Sequence, residues 1–238
     1  MRKSKQQFFW GATFFVILSA GLAGCTKTGS SFTTSPVTYI TVMNQAPYAP
    51  TADIFFNDTL ASGSNGIAPG VYSSKYGPLK PGSYEVKFKK HSSDSLMDVL
   101  TRSNYDTLGF YTLILYNDAN KAAHAMKIND DFSRITQANA NYRFFNLSPD
   151  APSVDLYMND AKVQQGRTTA DNAGNNSNND FTSAVPAVYN LKVKTAAGDS
   201  VMLNNVNLLG GNVYTIFLSG VKNASANTLS INVLQASY

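Results

Sequence analysis

Few side chains in this sequence could do acid, base, nucleophilic or metal chemistry: two histidines, His91 and His124, one cysteine, Cys25, and one glutamate, Glu85. Neither histidine has a second histidine or a cysteine at ligand spacing, so a zinc site lacks a source of donors. His91 reads as a turn residue and His124 as a strand residue. Glu85 lies between basic neighbours on the wet face of an alternating segment, which suits a solvated ion pair better than a general acid. No pair of catalytic carboxylates stands out, and no serine sits in a Gly-x-Ser-x-Gly elbow. The expectation is a protein that is not an enzyme and needs no metal and no cofactor.

Cys25 is the exception. Leu22-Ala23-Gly24-Cys25 closes a basic start, Met1-Arg2-Lys3-Ser4-Lys5, and an apolar run, Phe8 to Leu22. That run is shorter than the roughly 20 residues a spanning helix needs, and small residues precede the cysteine where a lipoprotein signal peptidase cuts. Residues 1–24 therefore read as a lipoprotein signal peptide and Cys25 as the lipidation site, with no second cysteine for a disulfide. Two or three acyl chains give stable anchoring where one does not. Thr26 stands where an aspartate would favour inner-membrane retention, so the expected location is the outer membrane, with the leaflet open. Residues 25–37 form a lipidated tether of small polar residues without apolar period.

The whole chain carries 19 basic and 15 acidic residues. Arg2, Lys3 and Lys5 fall in the signal segment, so the remainder is nearly neutral, and a nucleic-acid partner is not expected.

The elements that position these residues come in two copies. Residues 44–58, running from Asn44 to Asp58, align without gaps on Asn146 to Asp160, sharing Asn44 with Asn146, Pro47 with Pro149, Pro50 with Pro152 and Asp53 with Asp155. Pro81 to Lys89 then matches Pro186 to Lys194, Asp94-Ser95-Leu96 matches Asp199-Ser200-Val201, and Tyr111-Thr112 answers Tyr214-Thr215. The boundary falls near Ala138 to Ala140, giving repeats at 38–137 and 138–238. Each copy holds a full set of strand signals and is expected to build its own core. Tyr84, Val86 and Phe88 alternate with polar residues, as do Tyr189, Leu191 and Val193, which predicts strands with one wet face. Phe110 to Tyr116 and Val213 to Leu218 are continuous apolar runs, expected as strands buried on both sides. The Asn-x-x-Pro-x-Ala-Pro stretch, with two prolines lacking donors, must be a corner or edge. The expected fold is all-β, two tandem immunoglobulin-like β-sandwich modules.

The segment 146–157, the Pro-Gly-Ser-Tyr-Glu-Val-Lys-Phe stretch at 81–88 and the Tyr-Thr strand starts resemble the bacterial domain of unknown function 4397. The resemblance covers nearly all of 38–238 and implies secreted or lipid-anchored envelope proteins with β-sandwich modules. It implies no reaction.

Asp53 and Asp155 recur at one repeat position, where a carboxylate accepting backbone N–H groups would fix the corner; a calcium or ligand role is the alternative. The loop Asp171 to Asp180 is rich in oxygen donors, but Ala173, Asn176 and Thr182 stand where an EF-hand needs a ligand, a glycine and a glutamate. Asp58-Thr59-Leu60, Asp94-Ser95-Leu96, Asp106-Thr107-Leu108 and Asp199-Ser200-Val201 are similar to an O-glycosylation acceptor of envelope proteins in one Gram-negative phylum. They make Thr59, Ser95, Thr107 and Ser200 candidate sugar sites, against plain turn residues. The functional expectation is a non-catalytic cell-envelope lipoprotein with a structural or protein-interaction role, its partner an envelope protein or glycan. The alternative is a carbohydrate-binding accessory lipoprotein.

Overall fold

Asn57-Asp58 and Asn159-Asp160 set the first hairpin of each repeat. Both residues of each pair are left-handed, φ 46° and 67° in either copy, as a type I′ turn demands of its two central residues. The computed structural model describes residues 35–172 and 177–237. The signal segment, Cys25, most of the tether and the middle of the Asn-rich loop lie outside the described residues.

The first repeat comprises β1 (Thr38–Gln45), β2 (Ala52–Phe56), β3 (Thr59–Leu60), β4 (Gly77–Leu79), β5 (Gly82–Lys90), β6 (Leu96–Tyr105), β7 (Phe110–Asn117) and β8 (Ala123–Asn129). The second comprises β9 (Ala140–Asn146), β10 (Val154–Met158), β11 (Ala161–Arg167), β12 (Thr182–Ala184), β13 (Ala187–Thr195), β14 (Ser200–Leu208), β15 (Val213–Ser219) and β16 (Ser230–Gln235). Each forms two four-stranded sheets: β4-β1-β7-β8 over β3-β2-β5-β6, and β12-β9-β15-β16 over β11-β10-β13-β14. The order is the same in both copies. β1 runs parallel to β7, and β9 to β15, while the other neighbours are antiparallel. The protein is thus all-β, with two immunoglobulin-like sandwiches in tandem.

Period-two patterning places the cores. In β5, Val86 and Phe88 are buried while Glu85 and Lys87 take the other face. Two tyrosines per repeat then pin the loops at one end. The Tyr84 hydroxyl donates to the Lys80 carbonyl and the Tyr189 hydroxyl to the Val185 carbonyl, both at 2.7 Å. The hydroxyls of Tyr111 and Tyr214 accept from the amides of Asp106 and Leu209, at 2.9 and 2.8 Å. These bonds resemble the tyrosine corner of sandwich folds, in which a hydroxyl returns to backbone a few residues upstream.

Each repeat fills its own interior: Ile54, Phe88 and Leu113 belong to the first core, Leu156, Leu191 and Ile216 to the second. A third buried cluster lies between the repeats, where Met43, Ile114 and Ile128 meet Phe145, Phe217 and Leu234. This explains the continuous runs. Leu113 and Leu115 face their own sandwich and Ile114 faces the other; Ile216 and Leu218 face inward and Phe217 faces across. The two sheets led by β1 and β9 are packed against each other, and burying one such side chain contributes about 1.5–3 kcal/mol. Backbone continues the join: the Ser237 amide donates to the Ser74 carbonyl at 2.9 Å.

An isolated fragment 138–238 should retain β-type circular dichroism and cooperative unfolding, since its own core is complete. It should also melt below the intact chain and self-associate through the exposed Phe145, Phe217 and Leu234. Thermal melts and size-exclusion chromatography check both; a monomer as stable as the parent would deny the third cluster any energetic role.

Candidate functional site

The repeated corner is held by its asparagines. Asn44 is buried at the end of β1, its amide donating to the Ile67 carbonyl at 2.8 Å and its oxygen accepting from the Ala46 amide at 3.2 Å. Asn146 does the same in β9, donating to the Ala151 carbonyl at 2.6 Å and accepting from the Ser148 amide at 3.2 Å. Both are Asx turns, a short side chain bonding its own backbone two residues on. Pro50 and Pro152 are exposed in the bends that follow, while Pro149 is buried and Pro47 half-buried.

Asp53 and Asp155 lie in β2 and β10 and fix neighbouring loops rather than the proline corner itself. Asp53 accepts from His91 Nδ1 at 2.9 Å and the Ser92 amide at 3.0 Å, which holds the β5–β6 turn. Burial opposes the charge on Asp53, but these two hydrogen bonds outweigh it and keep its carboxyl below the ordinary value. Asp155 accepts from Lys162 at 2.6 Å and the Gly166 amide at 2.8 Å, and in that order these hold its carboxyl low as well. The equivalent carboxylates therefore clip different elements: β2 has no long partner strand where β10 has β11.

His124 and Glu85 are similarly engaged. His124 Nε2 is 3.4 Å from Asp118, whose carboxylate also accepts the amides of Asn120 and Ala122. Glu85 pairs with Lys87 at 3.2 Å. Among the described residues, no three or more His, Cys, Asp or Glu side chains gather where a cation could sit. Thr59, Ser95, Thr107 and Ser200 are all exposed. Ser95 immediately precedes β6 and Ser200 opens β14, beside Asp94, paired with Lys89 at 3.0 Å, and Asp199, paired with Lys222 at 2.5 Å.

Sequence reasoning missed a heavily bonded buried group. Arg143, in β9, is buried between the repeats with Asp130, which follows β8. Its Nη1 donates to Asp130 at 2.6 Å, Nε to the Thr215 hydroxyl at 3.0 Å and Nη2 to the Thr112 hydroxyl at 3.2 Å. Asp130 also accepts from the hydroxyls of Thr112 at 2.6 Å and Tyr76 at 2.7 Å. Burial, then the Asp130 charge, pushes the Tyr76 hydroxyl far above its ordinary pKa, so it stays a donor. The guanidinium also lies over the rings of Phe145 and Phe181, 4.9 and 4.6 Å from their centroids. One signal could have found it: an arginine inside the buried strand Ala140–Asn146, at the position where the first copy has Thr41.

Because Arg143, fourth in β9, meets Thr112, third in β7, both sandwiches begin at the same end of the molecule. At the opposite end their corners converge on a cleft of about 260 Å³. Gln45 and Pro47 line it from the first repeat, and Ser219, Asn227, Ser230 and Asn232 from the second. The lining offers amides and hydroxyls without charge. The Asn232 amide nitrogen donates to the Ser219 hydroxyl at 3.1 Å, while among the described residues no hydrogen bond engages its oxygen or the Asn227 side chain. Such a surface suits a neutral ligand rich in hydroxyls.

Replacing Arg143 by Met should cost about 3–5 kcal/mol, because Asp130 is left charged and buried. Arg143→Met with Asp130→Asn should recover a large part of that loss. Urea denaturation of the four chains in a double-mutant cycle measures it, and additive effects would show the two groups to be uncoupled.

The family model described as a domain of unknown function (DUF4397) matches residues 38–157 and 143–237. No curated protein matches the chain. A solved structure of a candidate cell adhesion protein from Bacteroides fragilis covers 85% of this chain and 98% of its own, at 11% identity and a TM-score of 0.20, too low to bear on fold or function.

Proposed function

Since the chain belongs to the DUF4397 family and carries two tandem copies of its domain, we propose that it is a non-catalytic cell-envelope lipoprotein whose double sandwich serves a structural or protein-interaction role. The observation that carries this reading is where the reactive side chains are spent: Asp53 and His91 on a turn, Asp118 and His124 on another, Arg143 and Asp130 on the join between repeats. The anchor is the lipid on Cys25, and the compartment is the outer membrane. The partner is an envelope protein or glycan, with no nucleic acid involved.

A second reading, a carbohydrate-binding accessory role, is favoured by the uncharged cleft between the corners. Amide and hydroxyl groups there match the hydrogen-bonding of a neutral sugar. A glycan array hit abolished by Asn232→Leu would select this reading, and binding that survives the change would move the sugar elsewhere. The exposed hydroxyls of Ser95 and Ser200 are proposed to carry O-glycans in the native host, at the same end as the cleft; the intact mass of protein from its own organism, with peptide mapping, decides this.

In a Gram-negative host the wild-type chain should enter the detergent phase, and Cys25→Ser should remain aqueous. Equal partitioning of the two would sink the anchor.

A further inference from the structure

The end of the molecule at which the tether joins β1 carries the two most exposed large hydrophobic side chains among the described residues, Val185 at 71% and Leu108 at 67%. Leu108 is next to the tether, its amide donating to the Val37 carbonyl at 2.7 Å. Its backbone is left-handed, φ 60°, and the equivalent position of the second repeat is Gly211, φ 76°. Glycine takes that conformation freely, whereas a leucine there is strained. Strain and exposed apolar surface both count against this residue in water, so its retention points to something outside the chain that covers it.

The second repeat presents a matching tip. Val185 lies between β12 and β13, and Leu209, 49% exposed, lies between β14 and β15. The two loops adjoin: a Cβ on Gly210 would come within 3.4 Å of Pro186 and 2.9 Å of the Gln137 carbonyl. Lys80, the counterpart of Val185 in the first repeat, is exposed and offers a cation of the kind that reaches headgroup phosphates.

We propose that this end of the double sandwich rests on the lipid surface that holds the tether, with Leu108, Val185 and Leu209 seated at the boundary between headgroups and acyl chains. The proposal rests on the lipoprotein reading for the identity of the surface. Nine residues separate Cys25 from Ser35, a reach of at most about 35 Å, and they end on this face. Three aliphatic tips would not hold a free protein on a bilayer. A tethered body already experiences a high effective concentration of lipid, so the tips need only choose which face turns down. Strands of up to ten residues, as in β6, then raise the corners, the cleft, Ser95 and Ser200 about 30 Å away from the membrane.

Trp10 is the only tryptophan and precedes Cys25, so one introduced into the chain from Cys25 onward reports alone. That chain contains the whole compact unit Ser35–Tyr238. Coupled through its sole cysteine to maleimide lipid in phosphatidylcholine vesicles, it is anchored by chemistry whether or not the native protein is acylated, a question the detergent partition answers separately. With brominated acyl chains, Leu108→Trp and Val185→Trp should lose half or more of their fluorescence and shift to the blue. Tyr48→Trp, at the corner end, should be unchanged. Equal emission from all three with and without bromine overturns the proposal. Leu108→Gly should melt no lower than the parent; a marked fall would assign Leu108 to the fold and overturn it equally, as would an O-glycan on Thr107 of the native protein.

Discussion

A guanidinium with almost no access to water must have its charge answered, and Arg143 finds its counter-charge, Asp130, in the other repeat. Asp130 neutralises it, Thr112 from the other repeat and Thr215 from its own sheet each accept one further N–H, and Tyr76 donates to the second oxygen of the carboxylate. A buried ion pair is weak evidence of net stability against an apolar replacement, because desolvation offsets much of the attraction. Its geometry is nonetheless demanding. A slide of one repeat over the other would leave a charge buried and unpaired, so the pair selects one register for the join between the sandwiches.

The apolar face around the pair supplies the attraction that the pair orients. The buried sheets are the equivalent sheets of the two copies, so the join resembles the isologous interface of a two-fold dimer made within one chain. One departure from symmetry lies at the polar pair, where Arg143 stands at the position of Thr41. Two identical arginines facing each other would repel, and a single arginine facing Asp130 from the connection between repeats does not. Tandem duplication makes such an asymmetric solution available.

Burial of these sheets leaves the other two, led by β2 and β10, and the two ends of the molecule as free surface. At one end stand the start of β1 and the apolar tips, at the other the corners and the uncharged cleft. A body with both sandwiches beginning at the same end is therefore polar in the geometric sense, its two ends differing in chemistry.

Much of this was legible in residue order. The alternation in Tyr84 to Lys89 and its copy in Tyr189 to Lys194 is a local consequence of the two-residue period of a strand, and it located β5 and β13. The prolines of the corners act through their missing N–H, which any environment respects. What covers the outer face of Phe110–Tyr116 was not legible. The run declared that both faces are dry, yet no local rule says whether the second cover is another sheet of the same module or a neighbouring module.

Sequence by itself determined the repeat, the strand faces, the corners and the cysteine pattern, because each rests on bonded or near-neighbour geometry. Tertiary structure alone decided that Asp53 and Asp155 brace different loops, that Arg143 meets Asp130, and that the corners converge on a cleft. The last two depend on how two sheets of separate sequence origin come together, as where Arg143 meets Thr112, 31 residues away in the other repeat. Hydrophobic burial drives that packing and carries no direction of its own; the direction comes from the few polar groups that must be satisfied once water is gone.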